Sequence, residues 1–503
     1  GTIRRKDGSV MRVTKGASAV ILKLVEDSIG SSNIAESQRI HNEVNADVHS
    51  YGVRGIRTLA VAKLEVGNNN AKWEILGLLP FLDPPRSDSK KTIEEAKAFG
   101  IDVKMITGDQ LLIAKETGKE LNMGSRMYDA TGLPNLISKT VWEKGKEIER
   151  KIKPENLKRD YGDMCLAADG FAHVIPEHKY LIVECLRELG YKVGMTGDGV
   201  NDAPALKISD VGIAVDGATD AAGAAADIQL TRPGLSAIIN GIVISRKIFV
   251  RIRNFLTYRI AATLQLLFFF FIAVFMFVPR EYQPADSTDS VWPDYFHLPV
   301  LMLMLITVLN DGALIAIGYD NVIPSDTPAV WNLRVLFTIG GVLAGVACIS
   351  SLMLLQMLLN SGNDGSVFQW LGLGASGLNM GQITASIYLK VSVSDFLTLF
   401  SARTGDDWFW ASSPALPVQI AAFIALSLST AIACFWPMSY PDNVETEGLL
   451  LEEPKIMALL IWLYCLAWWF LQDAAKVVVY KYLKTNNTFN INDTGVVVLP
   501  EST

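Results

Sequence analysis

The chain has 503 residues, of which 50% are hydrophobic, and it carries a formal net charge of −7 at pH 7. This acidic balance provides no overall positive charge to attract nucleic acid, so we expect no polynucleotide partner. The five cysteines show no CxxC spacing, and we interpret them as reduced packing residues. Charged, glycine-punctuated sequence extends to about Arg253, and long apolar runs follow from Phe255. The sequence therefore predicts a soluble half and a membrane half.

Residues 1–83 form the first predicted unit. The strand-like runs KLEV at 63–66 and KWEILGLL at 72–79 accompany a helical pattern at 33–51. The DPPR step at 83–86 is stiff, because proline fixes its own backbone and restricts the residue before it. We expect a linker between two units at this step.

Residues 84–245 alternate short apolar runs with helical patterns. The runs are IDVKMIT at 101–107, YKVGMT at 191–196 and VGIAV at 211–215. Such alternation predicts parallel strands with helical crossovers, and sheets of this kind bind ligands at the carboxyl ends of their strands. We interpret the stretch 139–160, which is rich in lysine and glutamate, as an exposed helical insertion.

Polar motifs lie close to these strand ends. Thr107, Gly108 and Asp109 follow the first run, where a hydroxyl and free backbone N–H groups could hold an anion. Helix capping is the simpler explanation of a threonine or aspartate at that place. Lys179, in PEHKYLIVECL, could put a positive charge on a phosphoryl group, or it could be an ordinary surface lysine.

The stretch TGDGVNDAPAL at 196–206 is the stronger signal. Its glycines at 197 and 199 allow a sharp turn that brings Asp198 and Asp202 together. Such a pair suits Mg²⁺, which prefers hard oxygen ligands and a bound phosphate. Capping and turn formation explain one aspartate, but they poorly explain Asp198, Asn201 and Asp202 together after a buried strand. We therefore predict a functional site in this loop.

Six apolar stretches are long enough to cross about 30 Å of hydrocarbon. They lie near residues 254–278, 298–317, 335–359, 379–400, 417–438 and 456–473. Their even number, and the basic residues before the first and after the last, predict that both ends of this segment are cytosolic. The loop 279–297 is acidic, as a loop on the other side can be. No signal peptide precedes the soluble half, which we expect to stay in the cytosol.

Asp311 lies near the middle of the second span, in VLMLMLITVLNDGALIAIG at 300–318. A carboxylate at that depth costs about 2.5–3.5 kcal/mol on insertion scales, so it is seldom incidental. We predict that Asp311, in a turn loosened by Asn310, takes up and releases a proton; the alternative is structural pairing with another helix. Lys390 and Asp395 in the fourth span are further ionisable groups, for which we favour structural pairing over transport.

Together the motifs resemble those of P-type ATPases, and the whole chain resembles the latter half of the plasma-membrane proton-pumping branch. The general resemblance rests on DPPR at 83–86, MITGD at 105–109, PEHK at 176–179, MTGDGVNDAPAL at 195–206 and GIAVDGATDAA at 212–222, followed by the six spans. The proton-pumping branch is indicated by KGA at 15–17, YRIA at 258–261 and NDGALIAIGYD at 310–320.

The resemblance implies a fold and a division of the chain. It implies an α/β haloacid-dehalogenase-like (Rossmann-like) phosphorylation domain, part of an α+β nucleotide-binding domain, and an all-α bundle of six transmembrane helices. The expected bounds are residues 1–83 for the nucleotide-binding part, 84–245 for the phosphorylation domain without its first segment, 246–474 for the membrane domain and 475–503 for a cytosolic tail. It also implies a multi-pass protein of the plasma membrane.

The resemblance also implies roles for the polar residues. Lys15 and Arg86 would contact ATP. The catalytic set would be Thr107, Gly108, Asp109, Lys179, Asn201 and Asp202, in which Thr107 and Gly108 hold the transferred phosphoryl group and Lys179 neutralises it. Mg²⁺ would be bound by Asp198 and Asp202. Partners would be ATP, protons and the lipid bilayer, and a homo-oligomer stays open.

In the membrane the resemblance makes Asp311 the proton carrier, with Asn310 and Gln265 in the same ion-transport set. Gln265 stands where plant pumps have arginine and fungal pumps have histidine, so we expect no fixed positive charge at that position.

One departure from the family limits what this chain can do alone. The family forms an aspartyl-phosphate on the aspartate of a DKTGT motif, and the sequence has no such motif. We therefore expect the chain by itself to be inactive. The alternatives are a pump for another monovalent cation such as sodium, a membrane-tethered phosphatase that would need the same nucleophile, and a truncated half-pump that binds nucleotide or regulates intact subunits.

Overall fold

The computed structural model describes residues 1–5, 10–29, 34–66, 72–143, 146–283, 292–363, 366–370 and 377–493. The chain divides after Ile242 into two compact units. The first unit contains the sheets and the shorter helices, and the second contains the long apolar helices.

A four-stranded antiparallel sheet opens the first unit. Its strands are β1 (Thr2–Arg4), β2 (Val10–Ala17), β3 (Arg57–Val66) and β4 (Glu74–Phe81), in the order β1-β2-β3-β4. Between β2 and β3 lie helices α1 (Ser18–Ile29) and α2 (Ile34–Gly52). Ala60 and Ala62 of β3 are buried in one cluster with Ile21 and Val25 of α1, because alternate residues of a strand face the same side.

Parallel strands and crossover helices follow. In chain order the elements are α3 (Ser89–Ala98), β5 (Met105–Ile106), α4 (Leu111–Glu120), β6 (Met127–Asp129), β7 (Ile137–Glu143), β8 (Lys146–Ile152), α5 (Leu157–Ala167), β9 (Gly170–Ala172), α6 (Pro176–Glu188), β10 (Gly194–Gly197), α7 (Ala203–Ile208), β11 (Val211–Ala214), α8 (Asp220–Ala225) and β12 (Ile228–Gln229). One sheet has the order β5-β9-β6 and another has the order β10-β11-β12, and both are parallel. The predicted α/β fold is confirmed.

The stretch 139–160 is not the helical insertion that its composition suggested. Strands β7 and β8 pair as an antiparallel hairpin, and α5 begins only at Leu157. The prediction was wrong because it was based on the content of lysine and glutamate. It gave too little weight to β-branched residues at even spacing, such as Ile137 and Val141 in β7, which favour a strand.

The second unit is a bundle of long helices. They are α9 (Ser236–Met276), α10 (Val300–Leu314), α11 (Leu333–Leu359), the short α12 (Val367–Trp370), α13 (Met380–Ala402), α14 (Leu416–Phe435) and α15 (Met457–Thr485). In the described part of the chain, six helices are long and apolar enough to cross a membrane, and each contains one of the predicted spans in whole or in large part. The cysteines are buried and free, as predicted.

Two of these helices extend well beyond the apolar stretches. Helix α9 is continuous over 41 residues and begins at Ser236, before the predicted start at 254. Helix α15 continues to Thr485, so the first part of the predicted tail is helical. Hydropathy detects the part of a helix suited to hydrocarbon, and it does not detect where polar sequence continues the same helix.

Helix α13 occupies the interior of the bundle. Its apolar window is 89% buried, and it packs against α10, α11, α14 and α15. It nevertheless buries many polar side chains, including Thr384, Ser386, Lys390, Ser392, Asp395 and Thr398. Polar groups inside such a helix need partners, so their hydrogen bonds are informative.

Candidate functional site

The loop after β5 carries the first predicted motif. The Thr107 backbone is fixed on both sides, since its N–H donates to Phe171 O at 2.9 Å and its carbonyl accepts from Val174 N at 3.0 Å. The Thr107 hydroxyl donates to Asp109 Oδ2 at 3.1 Å and accepts from Asp109 N at 3.1 Å. Because the hydroxyl closes its own turn, the loop is held in one conformation at the end of its strand.

Asp109 has a second partner that the sequence did not indicate. The guanidinium of Arg57, at the start of β3, forms an ion pair with its carboxylate. Arg57 was missed because an exposed basic residue at a strand start has no distinguishing spacing. This contact brings a cation from the first sheet to the loop after β5.

The loop after β10 is organised around Asp202, which is only 5% exposed. Lys179, in the first turn of α6, donates to Asp202 Oδ1 at 2.6 Å. Asp202 Oδ2 accepts from the backbone N–H groups of Asp198 at 3.2 Å and Gly199 at 3.3 Å. Lysine, aspartate and loop backbone are thus one connected cluster.

Burial and pairing act in opposite directions on Asp202. Burial by itself would raise the pKa of the Asp202 carboxyl, but the hydrogen bond and charge of Lys179 and the two backbone donors together lower that pKa below its usual range. The aspartate is therefore held as an anion, and it fixes the position of the Lys179 ammonium.

Gly197 explains why this loop can close. A Cβ atom at position 197 would lie 2.5 Å from the Asp202 Cβ, well inside contact distance. Glycine is required here for close approach of side chain and backbone.

Asp198 and Asp202 differ in what they can offer to Mg²⁺. Asp198 and Asn201 are exposed, so their side-chain oxygens face solvent. Asp202 already uses Oδ2 for two backbone hydrogen bonds and can offer only Oδ1. Within the described ranges, no group of three or more His, Cys, Asp or Glu side chains could hold a metal ion. Of this loop, only the exposed Asp198 carboxylate and Oδ1 of Asp202 offer carboxylate oxygens that are not fully used by hydrogen bonds.

Lys15 and Arg86, which the sequence predicts to contact ATP, are not hydrogen-bonded to the described residues of these loops. Lys15 is exposed on β2, paired in register with Val61, and Arg86 is exposed just before α3. Among the described side chains, neither of them hydrogen-bonds to the loops after β5 and β10. Gly108 lies in the first loop, where a Cβ would make an ordinary contact with Val174 O at 3.6 Å.

In the second unit, Asp311 of α10 forms an ion pair with Arg259 of α9. Both side chains are about half exposed in this chain, at 47% and 44%. The sequence drew attention to Gln265 as a position without charge, but the positive charge next to Asp311 comes from Arg259. Gln265 itself is buried, and its side-chain oxygen and nitrogen have no partner among the described residues.

Asn310 does not share the environment of its neighbour. It lies on the buried face of α10 and donates from Nδ2 to Asp395 Oδ2 of α13 at 3.0 Å. Successive residues of a helix point about 100° apart, which separates Asn310 from Asp311.

Among the described contacts, Lys390 and Asp395 form no hydrogen bond or ion pair with each other, although their charges interact. Lys390 Nζ donates instead to Ala347 O at 2.9 Å and to the Ser351 hydroxyl, both on α11. Five residues along a helix turn the two side chains away from each other, and each finds a partner on a different helix.

Comparisons with known proteins find similarity in both units of the chain. A sequence model described as haloacid dehalogenase-like hydrolase matches residues 17–210. Two proteins of Leishmania donovani, named probable proton ATPase 1B and probable proton ATPase 1A, are each 48% identical to this chain over 485 residues. The match covers 95% of this chain and 47% of each relative, so the chain spans about half the length of these curated relatives.

Proposed function

We propose that this chain belongs to the P-type ATPase family and corresponds to the latter half of a plasma-membrane pump that couples MgATP hydrolysis to proton export. The proposal places both ends of the membrane segment in the cytosol. It divides the chain into residues 1–83 of a nucleotide-binding domain, 84–245 of a phosphorylation domain, 246–474 of a membrane domain and a tail from 475.

The pair formed by Lys179 and the buried Asp202 is the observation that carries the catalytic part. Phosphoryl transfer depends mainly on positioning and on neutralising charge, and an ammonium held by a buried aspartate provides both. In this scheme Lys179 neutralises the phosphoryl group, Thr107 and Gly108 hold it, and Asn201 completes the surroundings. Asp109 fixes the Thr107 turn and is itself held by Arg57.

Asp198 is the residue we assign to Mg²⁺, with Asp202 contributing through Oδ1 only. The ion supplies charge neutralisation to the phosphate oxygens when it is bound. Lys15 and Arg86 are assigned to ATP, as the family resemblance implies. No residue is assigned as the phosphorylated aspartate, because the sequence has no DKTGT motif.

The ion pair between Arg259 and Asp311 supports Asp311 as the proton carrier. The guanidinium of Arg259 lies directly beside the Asp311 carboxylate, so the proposed transport residue has a cation as its immediate partner. An acid that is already paired with a cation fits a proton better than calcium, which usually takes six to eight oxygen ligands. Asn310 and Gln265 line the adjoining buried face.

The proposal is tested with the full-length protein, reconstituted in vesicles and supplied with MgATP. We expect vanadate-sensitive acidification of the lumen, which Asp198→Asn abolishes together with ATP hydrolysis. The matched control is Asp163→Asn, an exposed aspartate of α5, which should leave both activities unchanged.

Asp311→Asn tests the transport site in the same vesicles. It should abolish acidification, whereas Asp294→Asn, which removes the acid of the exposed Arg280–Asp294 pair, should not. Acidification that survives Asp311→Asn would overturn the site assignment. ATP-dependent transport of sodium in place of protons would overturn the proposed substrate, and nucleotide binding without any turnover would favour a non-catalytic half-pump.

A further inference from the structure

Several buried polar atoms inside the helix bundle have no hydrogen-bond partner in the described part of the chain. They include the Tyr258 hydroxyl and both amide atoms of Gln265 on α9, Asn310 Oδ1 on α10 and Asp395 Oδ1 on α13. Each of these residues is at most 5% exposed. Unsatisfied polar atoms are rare in protein interiors, so their presence on three neighbouring helices needs a chemical explanation.

For Asn310 and Asp395, a count of hydrogen-bond donors and acceptors gives such an explanation. Asn310 Nδ2 donates to Asp395 Oδ2 at 3.0 Å, which uses the amide nitrogen and one carboxyl oxygen. The two atoms left over, Asn310 Oδ1 and Asp395 Oδ1, are both acceptors when the carboxyl is ionised. Two acceptors cannot satisfy each other, whereas one proton on the carboxyl supplies the donor that the pair lacks.

No charged side chain in the described part of the chain forms a hydrogen bond or an ion pair with Asp395, although the charge of Lys390 acts on it. Lys390, on the same helix, is engaged by Ala347 O and Ser351 on α11. Arg259 on α9 pairs with Asp311 of α10. On α15, Lys476 pairs with Asp473 at 2.8 Å.

Neutral polar groups of the adjoining helices are also engaged. Gln472 of α15 is hydrogen-bonded with Thr398, and Ser429 of α14 with Ser392. An ionised carboxylate that is fully buried with one neutral donor is costly, and a protonated carboxyl avoids that cost.

We propose that Asp395, held by Asn310, is a second proton-binding carboxyl of this bundle, separate from the Arg259–Asp311 pair. The proton is bound on the carboxyl of Asp395 and is directed to an acceptor in the same buried cluster. Asn310 is a positioning residue in this site, because it holds the carboxyl through Nδ2. Proton binding by Asp395 requires no ATP and does not depend on the proposed function. Only a role of this site in transport rests on the proposed function.

Infrared spectroscopy of the reconstituted chain tests the proposal at neutral pH, where an ordinary aspartate, with a pKa of about 3.9, is ionised. We expect the carbonyl stretching band of a protonated carboxyl, and we expect Asp395→Asn to remove it. Asp311→Asn is the matched control, because it removes the neighbouring acid of α10 and should leave the band in place. Asn310→Ala should shift the band without removing it, since the acid remains but loses its amide donor.

The outcomes separate this inference from the proposed function. A band that is lost only in Asp395→Asn and is shifted in Asn310→Ala supports the second site, whether or not the full-length protein pumps. A wild-type spectrum without a protonated carboxyl, or a band that persists in Asp395→Asn, overturns the second site even if pumping is observed. If Asp395→Asn does not fold, the Asn310→Ala spectrum decides alone, because an unshifted band contradicts the assignment.

Discussion

Asp202 in the first unit and Asp395 in the second are both buried, but their surroundings differ in the number of donors. Asp202 receives one ammonium and two backbone N–H groups. Asp395 receives one amide N–H and keeps an oxygen without a partner among the described residues. The comparison teaches that a buried carboxyl with enough donors is a fixed anion, whereas one that lacks a donor is suited to hold a proton.

The largest expected effect comes from removing the cation of the first site. Lys179→Ala leaves Asp202 buried without its ammonium, and breaking such a pair should lower the free energy of unfolding by about 3 kcal/mol. Thermal unfolding of the chain in detergent measures the change. Lys158→Ala, which alters an exposed lysine of α5, is the control and should stay within about 0.5 kcal/mol of wild type. Equal effects of the two substitutions would mean that the pair does not organise the loop.

Gly197→Ala tests whether the loop must approach Asp202 so closely. The added methyl would lie 2.5 Å from the Asp202 Cβ, so the loop or the aspartate must shift. Overpacking of this kind should cost about 2 kcal/mol of unfolding free energy. At Gly132 nothing lies within 4 Å of an added Cβ, so Gly132→Ala serves as the matched control in the same unfolding measurement. A tolerated Gly197→Ala would show that the loop can relax.

The pH dependence of stability should show whether Asp202 is held as an anion in the folded protein. Because the pKa of Asp202 is lowered on folding, its contribution is fully present above the ordinary aspartate pKa of about 3.9 and is lost as pH falls through the lower folded value. Unfolding measured in acid should therefore show a loss of stability that is smaller in Asp202→Asn. An identical acid dependence in the two proteins would contradict the lowered pKa.

The Arg259–Asp311 pair should contribute less to stability than the Lys179–Asp202 pair. Both side chains are about half exposed in this chain, and exposed pairs usually contribute about 0.2–1 kcal/mol. A double-mutant cycle with Arg259→Ala and Asp311→Ala, read by thermal unfolding, measures the coupling. The more exposed Arg280–Asp294 pair should give a still smaller value. A coupling well above 1 kcal/mol would mean that the pair is structural.

The smallest expected effect is that of Asp395→Asn on stability. If the carboxyl is already neutral, an amide of nearly the same shape replaces it at a cost within about 0.5 kcal/mol. The same substitution at Asp202 removes an anion that three donors require, so it should cost more. Thermal unfolding of Asp395→Asn and Asp202→Asn measures this difference. Similar losses of unfolding free energy in the two variants would contradict the contrast between a neutral Asp395 and an ionised Asp202.

The sequence predicted those features that depend on local pattern. Apolar runs of about twenty residues identify the spans, and the alternation of strands and helices identifies the parallel sheets. The loops of residues 107–109 and 196–206 were found because several unusual residues lie close together in the chain.

Contacts between distant residues could not be predicted in this way. Arg57 reaches Asp109, Arg259 reaches Asp311, and Asn310 reaches Asp395 from other helices or strands. The rotation of one helix against another sets such contacts, and the spacing of residues within a single helix carries no information about that rotation. Lys390 and Asp395 are five residues apart on one helix, and each hydrogen-bonds to a different neighbouring helix.

The unbroken length of α9 has a mechanical consequence. At 1.5 Å per residue, its 41 residues form a rod of about 60 Å, roughly twice the thickness of the hydrocarbon core. About half of the helix must therefore project beyond the bilayer as a stiff arm. Because the helix is continuous, its polar first half and its apolar second half form one rod with no break between them.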